Sequence, residues 1–355
     1  MHELNVGGAE RVISNLVNHM NRDKFEVHLC LFKKKGALVE TINDDVIIHD
    51  LQATRVLSSV HKLWGLILKV KPNIVFSSIT HVNLLLSFSA PVLRFILKDT
   101  IFVTREVNNP SIRARYMPKS KSLDRFYKYF IGNFDHIIAQ SNYMKEDLIG
   151  HYGLSDKKIT VVNNPLNSTE ILSKLSEEKE KNLLMDNKIN IIAIGNLRRQ
   201  KGFDKLLEVM NYMDNRFHLN IVGEGIERHN LEAKIAALEL QDSISLLGFQ
   251  SNPYLFMKEA DIVVLSSNYE GFPNVILEAN VCSKFVVAYN CPGVSDEIIQ
   301  NGVNGILVEY GNVELLARAL IKYASVSHDE QAIIASTKKY NVKNIVKKYE
   351  EIFIK

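Results

Sequence analysis

Short runs of β-branched and aliphatic residues recur along this chain and alternate with stretches of helical period, a pattern that restricts its fold severely. Residues 25–32, 46–51, 74–77, 101–104, 136–139 and 158–162 read as strands in the first half, and 189–194, 218–222, 244–247 and 260–265 in the second. Between them lie helical stretches such as 58–70 and 142–152. Strand and helix taking turns predicts parallel sheets covered on both faces, the α/β class. At 355 residues the chain exceeds one comfortable core, so two doubly wound domains are expected.

The most informative stretch follows the apolar run at 260–265. Ser266-Ser267-Asn268-Tyr269-Glu270-Gly271-Phe272-Pro273-Asn274 is a Gly-containing turn, and Pro273 is placed to open a helix that carries Glu278. A strand, a glycine turn and a helix start grip anionic ligands in α/β proteins, because unpaired N–H groups converge there. Asn274 and Glu278 are four apart and share a helix face, while Glu270 sits in the turn above them. Two carboxylates then look toward a site for a ligand with both hydroxyls and phosphate. A plainer reading makes Glu270 a complement to the helix dipole and Glu278 a solvated residue.

Other loops fall at strand ends. Gly195-Asn196-Leu197-Arg198-Arg199-Gln200-Lys201-Gly202 joins a strand to a helix with three cations, a diphosphate clamp in physical terms. Gly223-Glu224-Gly225 is a G-x-G without the third glycine, a weak dinucleotide fingerprint. Gly7-Gly8 precedes an amphipathic helix with Val12, Ile13, Leu16, Val17 and Met20 on its apolar face; the pair permits close approach to a ligand, or makes a simple turn. His81 sits where a strand gives way to a helix, and Arg105 opens a polar cluster through Pro110. Both are acceptor-side candidates, with a loop histidine and a hydrogen-bonded loop as the alternatives. The charged run 176–181 reads as a solvated helix or linker.

The run Glu270-Gly271-Phe272-Pro273-Asn274-Val275-Ile276-Leu277-Glu278-Ala279, followed by Pro292-Gly293, Glu297-Ile298-Ile299 and Asn301-Gly302-Val303-Asn304-Gly305, resembles the E-x7-E signature of retaining glycosyltransferases. These are the GT-B enzymes of glycosyltransferase family 4 (glycosyl transferases group 1). The resemblance implies two Rossmann-like domains facing a cleft: 1–165 for the acceptor, 166–337 for a sugar nucleotide, and a closing helix at 338–355 returning toward the first. It assigns Glu278 to the ribose hydroxyls and Glu270 to the donor sugar. It sets Lys201 on the diphosphate, and Gly8, Gly223, Gly225 and Phe249 around the donor. The N–H groups near Phe272, Pro273 and Asn274 would meet that donor too. Asn196 stands where the family has arginine, and Arg198, with Arg199 second, is the candidate to replace it.

The resemblance implies front-face transfer from a nucleoside diphosphate sugar, most readily UDP-linked, to a glycan or lipid-linked saccharide of capsule, lipopolysaccharide or another surface polysaccharide. No Asp-x-Asp triplet exists, so no metal and no other cofactor is expected. Nor is a nucleic-acid partner. Rival readings are a GT-B epimerase or phosphorylase and, remotely, an NAD-dependent oxidoreductase with a carboxylate about 20 residues beyond Gly225 at the next strand end.

Cys30, Cys282 and Cys291 form no C-x-x-C and suit a reducing cytoplasm. Net charge is +3, yet residues 1–165 hold 22 basic and 15 acidic residues, a net of +7. The cluster from Arg105 through Arg113, Arg115, Lys119, Lys121 and Arg125 to Lys128 suggests weak peripheral contact with an anionic membrane face, or merely a solvated surface. Only five residues precede Val6-Gly7-Gly8. An earlier strand is therefore expected before this start; a sheet that has closed the gap is the alternative.

Overall fold

A computed structural model describes residues 1–5, 7–53, 59–116, 121–177, 183–294 and 297–354. Val6, Lys119, the Lys121 side chain and most of the charged run 176–181 lie outside the described residues. The chain forms two compact units, Met1–Pro165 with Val342–Lys355, and Leu166–Asn341. Each is a Rossmann-like α/β unit, and every strand pair in both is parallel.

The first unit contains β1 (His28–Leu31), β2 (Ile47–Asp50), β3 (Ile74–Ser77), β4 (Ile101–Arg105), β5 (His136–Ala139) and β6 (Ile159–Val161). Alternate residues face opposite sides. Phe102 and Ile137 join the core under helices Val60–Val70 and Thr80–Ile96; Val103 and Ile138 join the core under helices Gly8–His19 and Val342–Ile354. Pro91 does not end helix Thr80–Ile96. The Ser87 carbonyl, four residues back, has lost its usual donor to the proline and accepts from Asn133 Nδ2 at 3.0 Å instead. The predicted helix at 142–152 is bounded by its own caps: Ser141 Oγ accepts from the Met144 N–H, and Gly153 ends it at φ 71°.

The six strands do not make one sheet. β1 and β2 form a pair, and β3-β4-β5-β6 form a second sheet. An apolar cavity of about 390 Å³ separates the β1 edge from the β3 edge.

The second unit has a single sheet of β7 (Ile189–Ile194), β8 (Phe217–Val222), β9 (Ile244–Gly248), β10 (Ile262–Leu265), β11 (Val286–Tyr289) and β12 (Gly305–Val308), in the order β12-β11-β10-β7-β8-β9. Its central strands are buried on both faces, which explains their near-continuous Ile/Val runs. The Asn301–Gly305 stretch is structural. Asn304 is buried; its Nδ2 lies 3.0 Å from Asn280 Oδ1, 3.0 Å from the Ile298 carbonyl and 3.1 Å from Ser336 Oγ, and its Oδ1 accepts from the Gln300 N–H at 2.7 Å. Asn280 donates in return to the Asn304 carbonyl. An Asn304→Ala chain leaves these buried partners unsatisfied and should lose about 1–3 kcal/mol of stability. Urea unfolding of the two proteins checks this, and an unchanged midpoint would contradict the account.

Candidate active site

Parallel strands send all their carboxyl ends to one edge, so in the second unit the loops after β7, β8, β9 and β10 converge. They are laced by backbone bonds. Gly195 N–H donates to the Val222 carbonyl, Leu197 N–H to Glu224, Gly223 N–H to Gly248 and Asn268 N–H to Gln200.

The glycines make this approach possible. A Cβ on Gly223 would lie 2.0 Å from the Gly195 carbonyl oxygen, and one on Gly225 would lie 2.4 Å from that of Leu197. These two expected donor contacts thus serve first to let two loops pack backbone to backbone. Gly202, at φ 62°, has the same role beside Ser266, whose carbonyl oxygen would be 2.3 Å from an added Cβ. Gly195 leaves room for the Lys201 stem, since its own Cβ would lie 3.0 Å from Lys201 Cε.

That stem carries Lys201 Nζ to Glu270 Oε1 at 2.8 Å, with the two side chains 20% and 7% exposed. Ser267 Oγ donates to the same oxygen at 2.6 Å. Ser266 Oγ donates to the Lys201 carbonyl, and Asn268 binds the Arg199 carbonyl through Nδ2 and meets Lys205 and Tyr310 through Oδ1. Ser266, Ser267, Asn268, Lys205 and Tyr310 were not singled out as site residues. For Ser266, Ser267 and Asn268 the signal was small polar residues directly after a buried strand; Lys205 and Tyr310 carried none.

Glu278 lies half-buried on helix Asn274–Val281. Cys282 follows one turn later, its N–H donating to the Glu278 carbonyl at 3.2 Å, and burial, then the charge of Glu278, push its thiol up to about 12. Arg198 is exposed in extended backbone just before the turn Arg199–Lys201, whereas Arg199 lies 3.4 Å from Glu227 at the surface. Phe249 follows Gly248 at the end of β9 with its ring exposed.

Three expectations need correction here. Pro273 is the residue before the helix rather than its first, because the Asn274 N–H turns back to the Phe272 carbonyl at 3.0 Å. That N–H is therefore already used. The Phe272 ring is buried 5.8 Å from Tyr340, which is compatible with the expectation that its backbone, not its side chain, faces the donor. The oxidoreductase reading also fails, since the strand after Gly225 ends in Gly248-Phe249-Gln250 with no carboxylate there for a ribose.

In the first unit Gly8 begins helix Gly8–His19, exposed, after Gly7. His81 is exposed at the start of helix Thr80–Ile96, its ring 6.0 Å from that of His2. Desolvation, then the charges of His2 and the Met1 ammonium, hold its pKa below the ordinary value. Arg105 is no surface contact. It is 1% exposed, donates to Ser78 Oγ at 2.8 Å and to Asn164 Oδ1 at 2.5 Å, and has its pKa lowered by burial. Its neighbour Glu106 is equally buried and accepts from Asn83 and Tyr127. The cluster after β4 is thus the hydrogen-bonded alternative. Arg113 also leaves the expected basic face, pairing at 2.6 Å with buried Asp124, which His151 and Tyr152 contact as well.

Known proteins match this architecture. The profile "Glycosyltransferase Family 4" matches residues 6–170, and "Glycosyl transferases group 1" matches residues 175–340. The N-acetylgalactosamine-N,N'-diacetylbacillosaminyl-diphospho-undecaprenol 4-alpha-N-acetylgalactosaminyltransferase of Campylobacter jejuni is 28% identical, over 90% of this chain and 87% of its own. The amylovoran biosynthesis glycosyltransferase AmsD of Erwinia amylovora is 21% identical over 98% of this chain and 96% of its own. Among solved structures, Anabaena Alr3699/HepE with UDP-glucose superposes at a TM-score of 0.80, 18% identity, covering 100% and 98% of the two chains. The lipopolysaccharide outer core galactosyltransferase WaaB superposes at 0.73, 18% identity, covering 100% and 99%. With these matches and a loop edge built around Lys201 and Glu270, the chain belongs to the group 1 and family 4 glycosyltransferases and has the GT-B fold.

Proposed function

We propose that this glycosyltransferase moves a sugar, with retention and without a metal, from a UDP-linked donor to a lipid-linked saccharide of a bacterial surface polysaccharide. The observation that carries this reading is the Lys201–Glu270 pair, partly buried at the carboxyl edge of the second sheet. The ammonium is held in place before any substrate arrives, so it costs little reorganisation when negative charge grows on a leaving diphosphate. Arg198, exposed on the same loop, supplies the second cation. Glu270 lies beside Lys201 and receives donor-sugar hydroxyls, while Glu278 holds the ribose. Phe249 offers an exposed face for the base, and Gly223 and Gly225 keep the loops below it low. The donor class is supported by the UDP and UDP-glucose of the HepE structures, the acceptor class by the diphospho-undecaprenol in the Campylobacter relative's name.

In the proposed step an acceptor hydroxyl oxygen bonds to the anomeric carbon on the face from which the diphosphate departs. The bond from that carbon to the phosphate oxygen breaks, the departing phosphate takes the hydroxyl proton, and UDP leaves.

A lipid-linked acceptor requires the protein to reach a membrane surface. Among the described residues no helix is long and apolar enough to cross a membrane. The first unit instead exposes Phe95 (88%) and Ile96 on one helix beside Phe126 and Tyr129 (76%) on helix Lys121–Phe130. Phe88, 4.0 Å from Phe130, joins the two groups. Exposed Lys98, Arg125 and Lys128 flank them. Aromatic rings among cations suit the headgroup region of an anionic bilayer. We place the enzyme in the cytoplasm, peripheral on the inner face of the membrane.

The reading has four measurable consequences. A UDP-sugar should raise the Tm equally in EDTA and in divalent cation, and loss of the shift in EDTA would refute the metal-free clamp. Labelled sugar should appear on an acceptor, rather than as an epimerised donor or a sugar phosphate.

Glu278→Ala should weaken UDP binding by about 1.5–3 kcal/mol, the value of a charge-assisted hydrogen bond. Glu270→Ala should mainly lower turnover, with Tm followed because Lys201 loses its partner. Equal losses of UDP affinity in both, with no separate loss of rate, would overturn the two roles.

Arg125→Ala with Lys128→Ala should reduce co-sedimentation with anionic vesicles about tenfold or more, each basic side chain contributing ~1 kcal/mol. Equal sedimentation of the unaltered chain with neutral and anionic vesicles would argue against the membrane face.

A further inference from the structure

The turn Arg199–Lys201 is held from outside as well as from within. Inside it, the Lys201 N–H donates to the Arg198 carbonyl at 2.9 Å and the Gly202 N–H to the Arg199 carbonyl at 3.2 Å. The segment after β10 adds one donor to each of three successive carbonyls. Asn268 Nδ2 donates to Arg199 at 2.5 Å, the Asn268 N–H to Gln200 at 2.7 Å, and Ser266 Oγ to Lys201 at 2.9 Å. The bond from the Asn268 side chain is the one next to Arg198.

Asn268 is itself oriented. Its Oδ1 accepts from Lys205 Nζ at 3.1 Å and from the Tyr310 hydroxyl at 2.8 Å, and Lys205 also donates to the Tyr310 oxygen at 3.2 Å. The same ammonium lies 4.6 Å from the centre of the Tyr310 ring, within cation–π reach. An ammonium only donates and a backbone carbonyl only accepts, so the amide has one orientation, oxygen to Lys205 and nitrogen to Arg199. Asn268 thus links helix Phe203–Val209 and the loop after β12 to the turn after β7.

The two clamp cations differ in what places them. Lys201 has Glu270 to hold its ammonium. Arg198 is exposed, and its guanidinium has no hydrogen bond or ion pair among the described residues. Its position therefore depends on the backbone of the turn.

We propose that Asn268 is a positioning residue for the transfer: through the Arg199 carbonyl it fixes the turn that presents Arg198 to the donor diphosphate. This rests on the reading of Arg198 as the second cation. A guanidinium on a loop already ordered loses less conformational freedom on binding than one on a loose loop. Asn268 itself touches no substrate in this account, and acts only through the turn.

The test measures UDP and uridine affinities of the full chain, because uridine lacks the diphosphate that Arg198 would meet. Asn268→Ala should weaken UDP about fivefold or more and leave uridine unchanged. On an Arg198→Ala background the same change should cost no further UDP affinity, since neighbours that act as a unit are not additive. Equal weakening of UDP and uridine would mean a merely structural role and overturn the proposal, as would full additivity with Arg198→Ala or unchanged UDP affinity. If Arg198→Ala alone binds UDP as tightly as the unaltered chain, the reading of Arg198 fails, and the proposal with it. Tm is followed throughout; should Asn268→Ala not fold, Asn268→Ser, neutral and suited to a turn but too short to span both partners, is read by the same criteria.

Discussion

The arrangement of the second unit depends on how closely its loops approach at one sheet edge. Parallel strands deliver four loops to the same place, but side chains would hold them apart. Gly202, Gly223 and Gly225 remove that obstacle, each at a position where a Cβ would meet a carbonyl oxygen within 2.4 Å. Close packing brings the β7 and β10 loops together, and Lys201 reaches Glu270 across them. The ion pair is a product of the backbone contact rather than its cause. A buried pair of this kind adds little stability over an apolar equivalent, and losing one partner leaves the other uncompensated. Its value lies in holding a cation in position.

The first unit solves a similar problem incompletely. Its carboxyl-edge groups are deeply tied in: Arg105 to Ser78 and Asn164, Glu106 to Asn83 and Tyr127, Arg113 to Asp124. Such a network is expensive to disturb, because buried donors and acceptors left alone cost more than the bonds gain. Beside this rigid half, the β1–β2 pair stands apart across an apolar cavity. The unit combines a densely bonded polar edge, in which Arg105 Nε, Glu106 Oε2 and Asn83 Oδ1 still have no hydrogen-bond partner among the described residues, with two unjoined sheets, and the helix Gly8–His19 is attached on the looser side.

Sequence alone made the strand–helix alternation, the parallel pairing and most strand positions legible, though not the split of the first unit into two sheets, because a strand buried on both faces writes itself as an unbroken β-branched run. The runs at 74–77, 136–139 and 189–194 match their strands end to end. The helices Pro110–Tyr116 and Lys121–Phe130 were less visible, since their charges dominate the residue pattern. At the site, Glu270, Lys201 and Glu278 stood out through turn chemistry and spacing. The supporting Ser266, Ser267 and Asn268 did not, because a hydroxyl or amide in a turn looks the same whether it caps, solvates or positions.

What the sequence by itself determined is local: which segments extend, which coil, where glycine must allow a close approach, and which family the motifs resemble. Tertiary structure decided the partners. Arg105 and Arg113 read as surface cations, yet folding placed one on neutral oxygens and the other on Asp124, because burial rewards a charge only where hydrogen-bond partners converge. Lys201 and Glu270 are 69 residues apart in the chain, and only the parallel sheet that carries both loops to one edge could bring them to 2.8 Å.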